Sequence, residues 1–343
     1  MTGRACAATK AFSAILTIPP SRRRRGGQPI LAAPMILLIA ATTVGAAQTA
    51  ALGPPLQSTD QADLAVALTH APQGKPTPNA TQLPPSKPDP VPLAHAGGPW
   101  KLALSADFHG ESLDGAVWTT CYWWNADGCT NLGNHELQWY RPDNVQLAEG
   151  HLALVARPEK AIGWEGKTFD YTSGMVTTGR YDGEKPNASR FAFQYGLIEV
   201  RAKLPEGRGL WPAIWLLPDS LEPRPEIDIM EALGDSPDRL RVHLHYDGPD
   251  HDAREIGKTI DAVNLSRGWH VYGLLWEPGV IVWYLDGAEK WRYADAANIP
   301  GEPMYLLIDL AVGGDYPGPP ASTTKFPARM LVDYARVWLR VPR

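Results

Sequence analysis

Residues 225–232 read Pro-Glu-Ile-Asp-Ile-Met-Glu-Ala and bring three carboxyl groups, Glu226, Asp228 and Glu231, into six positions. On a strand successive side chains alternate, which sends Glu226 and Asp228 to one face and Ile227 and Ile229 to the other. A wet outer face would account for this. However, Asp and Glu are poor strand formers and like charges two apart repel, so stability alone favours other residues there. Glu231, five positions from Glu226, belongs to the opposite face unless one extra residue is absorbed as a β-bulge near Ile229 and Met230. With that bulge three carboxyls line one surface. Two carboxyls about 5–5.5 Å apart can cleave a glycosidic bond with retention, one attacking the anomeric carbon while the other protonates the departing oxygen and later deprotonates water. Their mutual repulsion raises the pKa of the group that must arrive protonated.

The elements that must hold these acids are short strands cut by turn residues. Asn144 to Ala148, Glu149-Gly150 and His151 to Ala156 form one hairpin pattern. Val280 to Leu285, Asp286-Gly287 and Lys290 to Tyr293 form another, with a preferred Asp-Gly turn. Such spacing from residue 100 to 343 predicts an all-β domain, a sandwich or a barrel.

All 13 Trp, all 12 Tyr and every Phe but Phe12 fall at or after Trp100, so the folded domain is expected over 100–343. Residues 54–99 carry 11 of the 33 prolines and no aromatic or Cys. Such a segment cannot bury enough apolar surface to offset ordering its backbone, and 51–99 reads as a disordered, Pro-rich linker. Before it, Arg22 to Arg25 precede an apolar run from Ile30 to Ala47 that ends in small residues. This order predicts a secretory signal over 1–50, or an uncleaved membrane anchor, with the domain outside the cytoplasm either way. Secreted or periplasmic is the expectation, inner-membrane-anchored the alternative. The net charge of −5 leaves the domain acidic once the basic leader is set aside. Without a basic stripe nucleic acid is not expected as a partner, and any membrane contact runs through the anchor. Cys121 and Cys129 form an even pair that an oxidising compartment could bond; spacing alone leaves this open. No zinc-site spacing, glycine-rich phosphate loop or Gly-x-Ser-x-Gly elbow occurs.

Glu226 to Glu231 resembles the active-site signature of glycoside hydrolase family 16, in the bulged form of its laminarinase-like branch. Tyr195 to Pro218, Trp269 to Pro278, Leu310 to Gly314 and Val332 to Trp338 resemble its other blocks in the right order. The resemblance implies a two-sheet β-jelly-roll sandwich with a cleft on the concave face. It implies Glu226 as nucleophile, Glu231 as general acid/base and Asp228 as the group that holds and tunes the nucleophile. It also implies sugar contacts from Trp211 and Trp215, whose alternative is a place in the core, and from His245, whose alternative is a structural histidine. Asn134, Glu136 and Tyr316 are implied at the cleft wall. No cofactor is implied for catalysis. A structural calcium ion is found in some members, and the matching ligands are Asp107, the Gly150 carbonyl and Asp333; ordinary turn and edge acids are the alternative. The chain departs from the family where Asp309 replaces an asparagine and Tyr316 a tryptophan, which affects subsite specificity.

The expected activity is therefore endo-hydrolysis of β-1,3 or mixed β-1,3/1,4 glucan with retention, by a monomer acting on polysaccharide. Alternatives are transglycosylation, exopolysaccharide processing and a non-catalytic glucan-binding lectin.

Overall fold

The computed structural model describes residues 91–94, 96–123, 129–163, 166–180 and 188–341. The expected leader and most of the expected linker lie outside the described residues.

Two antiparallel sheets dominate. The larger runs β16 (Ala288–Tyr293), β15 (Val280–Leu285), β14 (His270–Glu277), β9 (Gly196–Lys203), β18 (Ala328–Arg340), β4 (His151–Ala156) and β3 (Val145–Ala148), with β1 (Trp100–Ala106) also paired to β18. The second runs β13 (Ala253–Asp261), β12 (Arg239–Asp247), β11 (Glu226–Glu231), β10 (Leu210–Pro218), β17 (Met304–Val312) and β8 (Met175–Thr177). Two short pairs, β2 (Gln138–Tyr140) with β7 (Tyr171–Ser173) and β5 (Ala161–Ile162) with β6 (Thr168–Phe169), lie outside both sheets. Both expected hairpins are present, β3–β4 and β15–β16. Their two-residue loops have positive φ at both positions, Glu149 and Gly150 in one and Asp286 and Gly287 in the other. This backbone matches the strand twist and suits Gly at the second position.

Of the two all-β architectures that the strand pattern allowed, the sandwich is observed, and its core lies between the two sheets. Ile214, Leu216, Val242 and Leu244 of the six-stranded sheet and Ile198, Val200, Leu274 and Trp276 of the eight-stranded one belong to a single buried cluster. The apolar run of β10 is explained by burial on both faces. Ile214 and Leu216 point into this core, while Ala213, Trp215 and Leu217 join a smaller cluster with Tyr122, Tyr140 and Leu307. That second cluster supports the outer face of the six-stranded sheet.

Trp283 ties the sheets together at one position. Its indole Nε1 donates 2.9 Å to the backbone carbonyl of Asp228, and the side chain is fully buried. Trp283→Phe leaves that carbonyl without its indole donor and opens space beside it. The expected loss is about 1–3 kcal/mol, read as a lower Tm in thermal unfolding; an unchanged Tm would show that the bond contributes nothing.

Cys121 and Cys129 are disulfide-bonded, with Cα atoms 5.3 Å apart. The acids expected to hold calcium are occupied differently. Asp107 pairs with Arg336 at 2.5 Å, and Asp333 pairs with Arg201 at 2.5 Å and lies 3.6 Å from His151. Gly150 sits in the β3–β4 turn beside the His109 ring. A calcium ion would have to displace two guanidinium groups, so these residues as arranged do not fit a calcium site.

Candidate active site

β11 lies between β10 and β12, and its ladder is interrupted where the spacing of the acids requires it. On β10, Ile214 faces Met230 and Trp215 faces Asp228, leaving Ile229 without a partner. On β12, His243 faces Asp228 and Arg241 faces Glu231. The extra residue sends Ile229 and Met230 together into the core with Ile227, and Glu231 returns to the side of Glu226 and Asp228. All three acids line one cavity of about 330 Å³ on the face of the six-stranded sheet turned away from the core.

Two histidines connect the acids. His243 Nδ1 is 2.6 Å from Glu231 Oε2 and 3.7 Å from Asp228 Oδ2. His245 Nε2 is 3.1 Å from Asp228 Oδ2 and 3.7 Å from Glu226 Oε1. Glu231 also accepts a hydrogen bond from Trp211 Nε1 at 3.0 Å. The opposite ring nitrogens both face Glu255, His243 Nε2 at 3.8 Å and His245 Nδ1 at 3.8 Å. Gly257 faces His243 across the β12–β13 ladder, and a Cβ there would lie 2.0 Å from the imidazole, so this close approach requires glycine. His243, Glu255 and Tyr122 were not among the expected site residues. The alternation His243-Leu244-His245, which puts both rings on one strand face, was the available signal for the first.

Crowded, largely buried carboxyls hold protons. Burial, reinforced by the charge of Asp228, pushes Glu226 up to about 8, and burial with the charge of Glu231 raises Asp228 well above the usual carboxylate range. For His243, burial acts downward, but the hydrogen bond and charge of Glu231 outweigh it and the net shift is upward. The raised affinity falls on Glu226, which must ionise before it can attack a sugar, so the proton held by this coupled cluster has to leave Glu226 in the reactive form.

The expected wall residues converge on the same cavity, which Trp211, Trp215, His245, Asn134, Glu136 and Tyr316 all line. Trp211 and Tyr316 meet edge to face at 5.3 Å. Asn134 and Gln138 donate to the two oxygens of Glu136 at 3.0 and 2.6 Å. Asp309 accepts from Tyr140 Oη at 2.9 Å and Trp215 Nε1 at 2.7 Å. Two donors aimed at one side chain suit a carboxylate, which only accepts, and this explains locally why an acid can stand at 309.

Glu136 and Asp309 also set a pH dependence of folding. Both are buried. Burial, with the charge of Asp309, raises Glu136 to about 8, and burial raises Asp309 to about 7 against the lowering effect of its two hydrogen bonds. Folded protein then binds more protons than unfolded between the ordinary carboxylate range and pH about 8, so stability falls as pH rises through that window. Each tenfold difference in proton affinity between folded and unfolded chain corresponds to about 1.4 kcal/mol. Tm is expected to be several degrees higher at pH 5.5 than at pH 8; a Tm that is flat or rises with pH would contradict the placement of these protons.

Comparison with known proteins agrees with this geometry. Residues 157–336 match the family described as Glycosyl hydrolases family 16. The chain is 38% identical over 251 residues to Endo-1,3-1,4-beta-glycanase EglC of Rhizobium meliloti, covering 68% of this chain and 51% of that protein. It is 34% identical to Beta-glucanase of Rhodothermus marinus, covering 70% of this chain and 85% of that protein. Among solved structures, the laminarinase catalytic domain from Thermotoga maritima superposes with a TM-score of 0.62 at 32% identity, covering 71% of this chain and 99% of that one. The chain spans about half the length of EglC and 47% and 37% of two other relatives.

Proposed function

Because the chain belongs to glycoside hydrolase family 16, we propose that it is a retaining endo-glycoside hydrolase that cleaves β-1,3 or mixed β-1,3/1,4 linkages in a neutral glucan. The observation that carries this reading is the bulge at Ile229, which puts Glu231 on the cavity with Glu226 and Asp228. Glu226 attacks the anomeric carbon as the Glu231 carboxyl protonates the departing oxygen. A covalent glycosyl ester forms, and Glu231, now ionised, deprotonates the water that releases the sugar with its original configuration. Asp228, between the histidines, stands beside the nucleophile and, whenever it ionises, favours proton retention in its neighbours. Trp211 gives flat apolar surface for a pyranose ring along a cleft on the concave face, and Trp215 lines the same cavity from within the buried cluster. Export by the leader and action as a monomer remain part of the proposal.

The acidity of the cavity supports a neutral substrate. Glu136, Glu226, Asp228, Glu231, Glu255, Asp309 and Asp315 line it against the single arginine Arg224, a balance that disfavours sulfated or strongly anionic polymers. Digestion of laminarin, lichenan, curdlan, agarose, carrageenan and a bacterial succinoglycan, with product sizes and anomers recorded, tests the reading. Oligosaccharides of several sizes from laminarin or lichenan are expected; cleavage confined to carrageenan or agarose, or no cleavage of any glucan, would reject it.

A further inference from the structure

We propose that Asp228, His243 and His245 bind one divalent cation of the zinc class on the floor of the cavity, and that the bound ion suppresses turnover. Among the described residues these three form a group whose donor atoms all lie within 4.8 Å of one another. Asp228 Oδ2 is 3.1 Å from His245 Nε2 and 3.7 Å from His243 Nδ1. Those separations bracket the edge of a tetrahedron with metal bonds of 2.0–2.1 Å, which is about 3.3–3.4 Å. Glu231 Oε2, 2.6 Å from His243 Nδ1, is closer than one tetrahedral edge and gives up this contact when the cation binds. The near nitrogens lie within hydrogen-bond distance of carboxylate oxygens, His243 of Glu231 and His245 of Asp228, and the cation takes the place of those contacts.

The surroundings offer an orienting carboxylate within one small side-chain shift. Ligating imidazoles are normally oriented by a carboxylate on their other nitrogen, and Glu255 faces the far nitrogens of both rings at 3.8 Å. Both histidines come from one strand, and Gly257 leaves room for the His243 ring. Two imidazoles and one carboxylate select a late first-row ion over calcium or magnesium, which prefer oxygen ligands. Occupancy engages Asp228 and fills the floor of the cavity between Glu226 and Glu231, where the reacting sugar would have to sit. The suppression clause rests on the glucanase reading, whereas binding is measured without reference to turnover, so failure of one is distinguishable from failure of the other.

The test is calorimetric titration of the full chain, stripped of metal, with zinc chloride, with folding of each variant checked by circular dichroism. One zinc per chain is expected for the parent. His243→Ala and His245→Ala are expected to lose binding at the site. Glu255→Gln, which leaves all three ligands, should weaken it about 10–100-fold. Calcium and magnesium chlorides should give no binding there. Cobalt supplies a second readout: visible bands of a nitrogen-ligated ion in the parent, and their loss or shift in Glu255→Gln even if a histidine variant fails to fold. No zinc binding at millimolar concentration, or binding and cobalt spectra unchanged in the histidine and Glu255 variants, would overturn the site. Zinc that occupies the site without slowing laminarin hydrolysis would overturn the suppression.

Discussion

Glu226→Ala and Glu231→Ala are each expected to abolish or nearly abolish glucan hydrolysis while leaving oligosaccharide binding in place. The two losses should differ in kind. Without Glu226 no covalent intermediate forms, and activity falls with every leaving group. Without Glu231 the missing function is proton transfer, which contributes about 10²–10⁴-fold. An aryl glycoside whose phenolate departs without protonation should therefore still form the glycosyl ester on Glu226. Added azide, which needs no general base, should then release it as the β-glycosyl azide. In Glu226→Ala the same anion can attack only from the vacated side and should give the α-azide. Steady-state kinetics with polymer and aryl substrates, and the configuration of the azide products, check both assignments. Normal laminarin hydrolysis in either variant would reject the role given to that residue.

Asp228→Asn keeps the size of the side chain and removes its charge. Asp228 is buried between His243 and His245. Its charge is, after burial itself, the main influence raising Glu226. Removing it lowers the pKa of Glu226, so the acidic limb of the pH–rate profile should move to lower pH. Turnover should fall roughly 10²–10³-fold, the usual cost of losing one preorganised electrostatic group from a water-poor site. A profile recorded across pH 4–9 separates the two effects. A limb that stays in place while the rate drops would mean that Asp228 acts through packing or contact with sugar rather than through charge.

The acids were legible because strand alternation is strict: Glu226 and Asp228 share a face by period two, and Glu231 can join them only through an inserted residue. The ladder shows that residue to be Ile229, with Met230 directed into the core beside it. The turns were legible from Glu149-Gly150 and Asp286-Gly287, since each needs positive φ. Other parts of the site depend on long-range register. His243 acquires its significance from standing opposite Asp228, and Glu255 from standing opposite His245, pairings that no local pattern announces. The two arginines that occupy Asp107 and Asp333 were equally invisible, because Arg336 and Arg201 come from β18 and β9. At position 309 sequence showed only a departure from the family, and the paired donors Tyr140 and Trp215 supply its physical context.

Covalent trapping tests the central claim most directly. A 2-deoxy-2-fluoro β-1,3-linked glucobioside with an activated leaving group slows release of the glycosyl ester more than its formation, allowing the adduct to be digested and sequenced by mass spectrometry. The expected result is one 2-fluoro-glucobiosyl adduct per chain, carried by Glu226, with a β-anomer as the first product from the natural substrate. An adduct on another residue, or an α-anomer formed first, would contradict the assignment of Glu226 and Glu231 to the two steps of a retaining displacement.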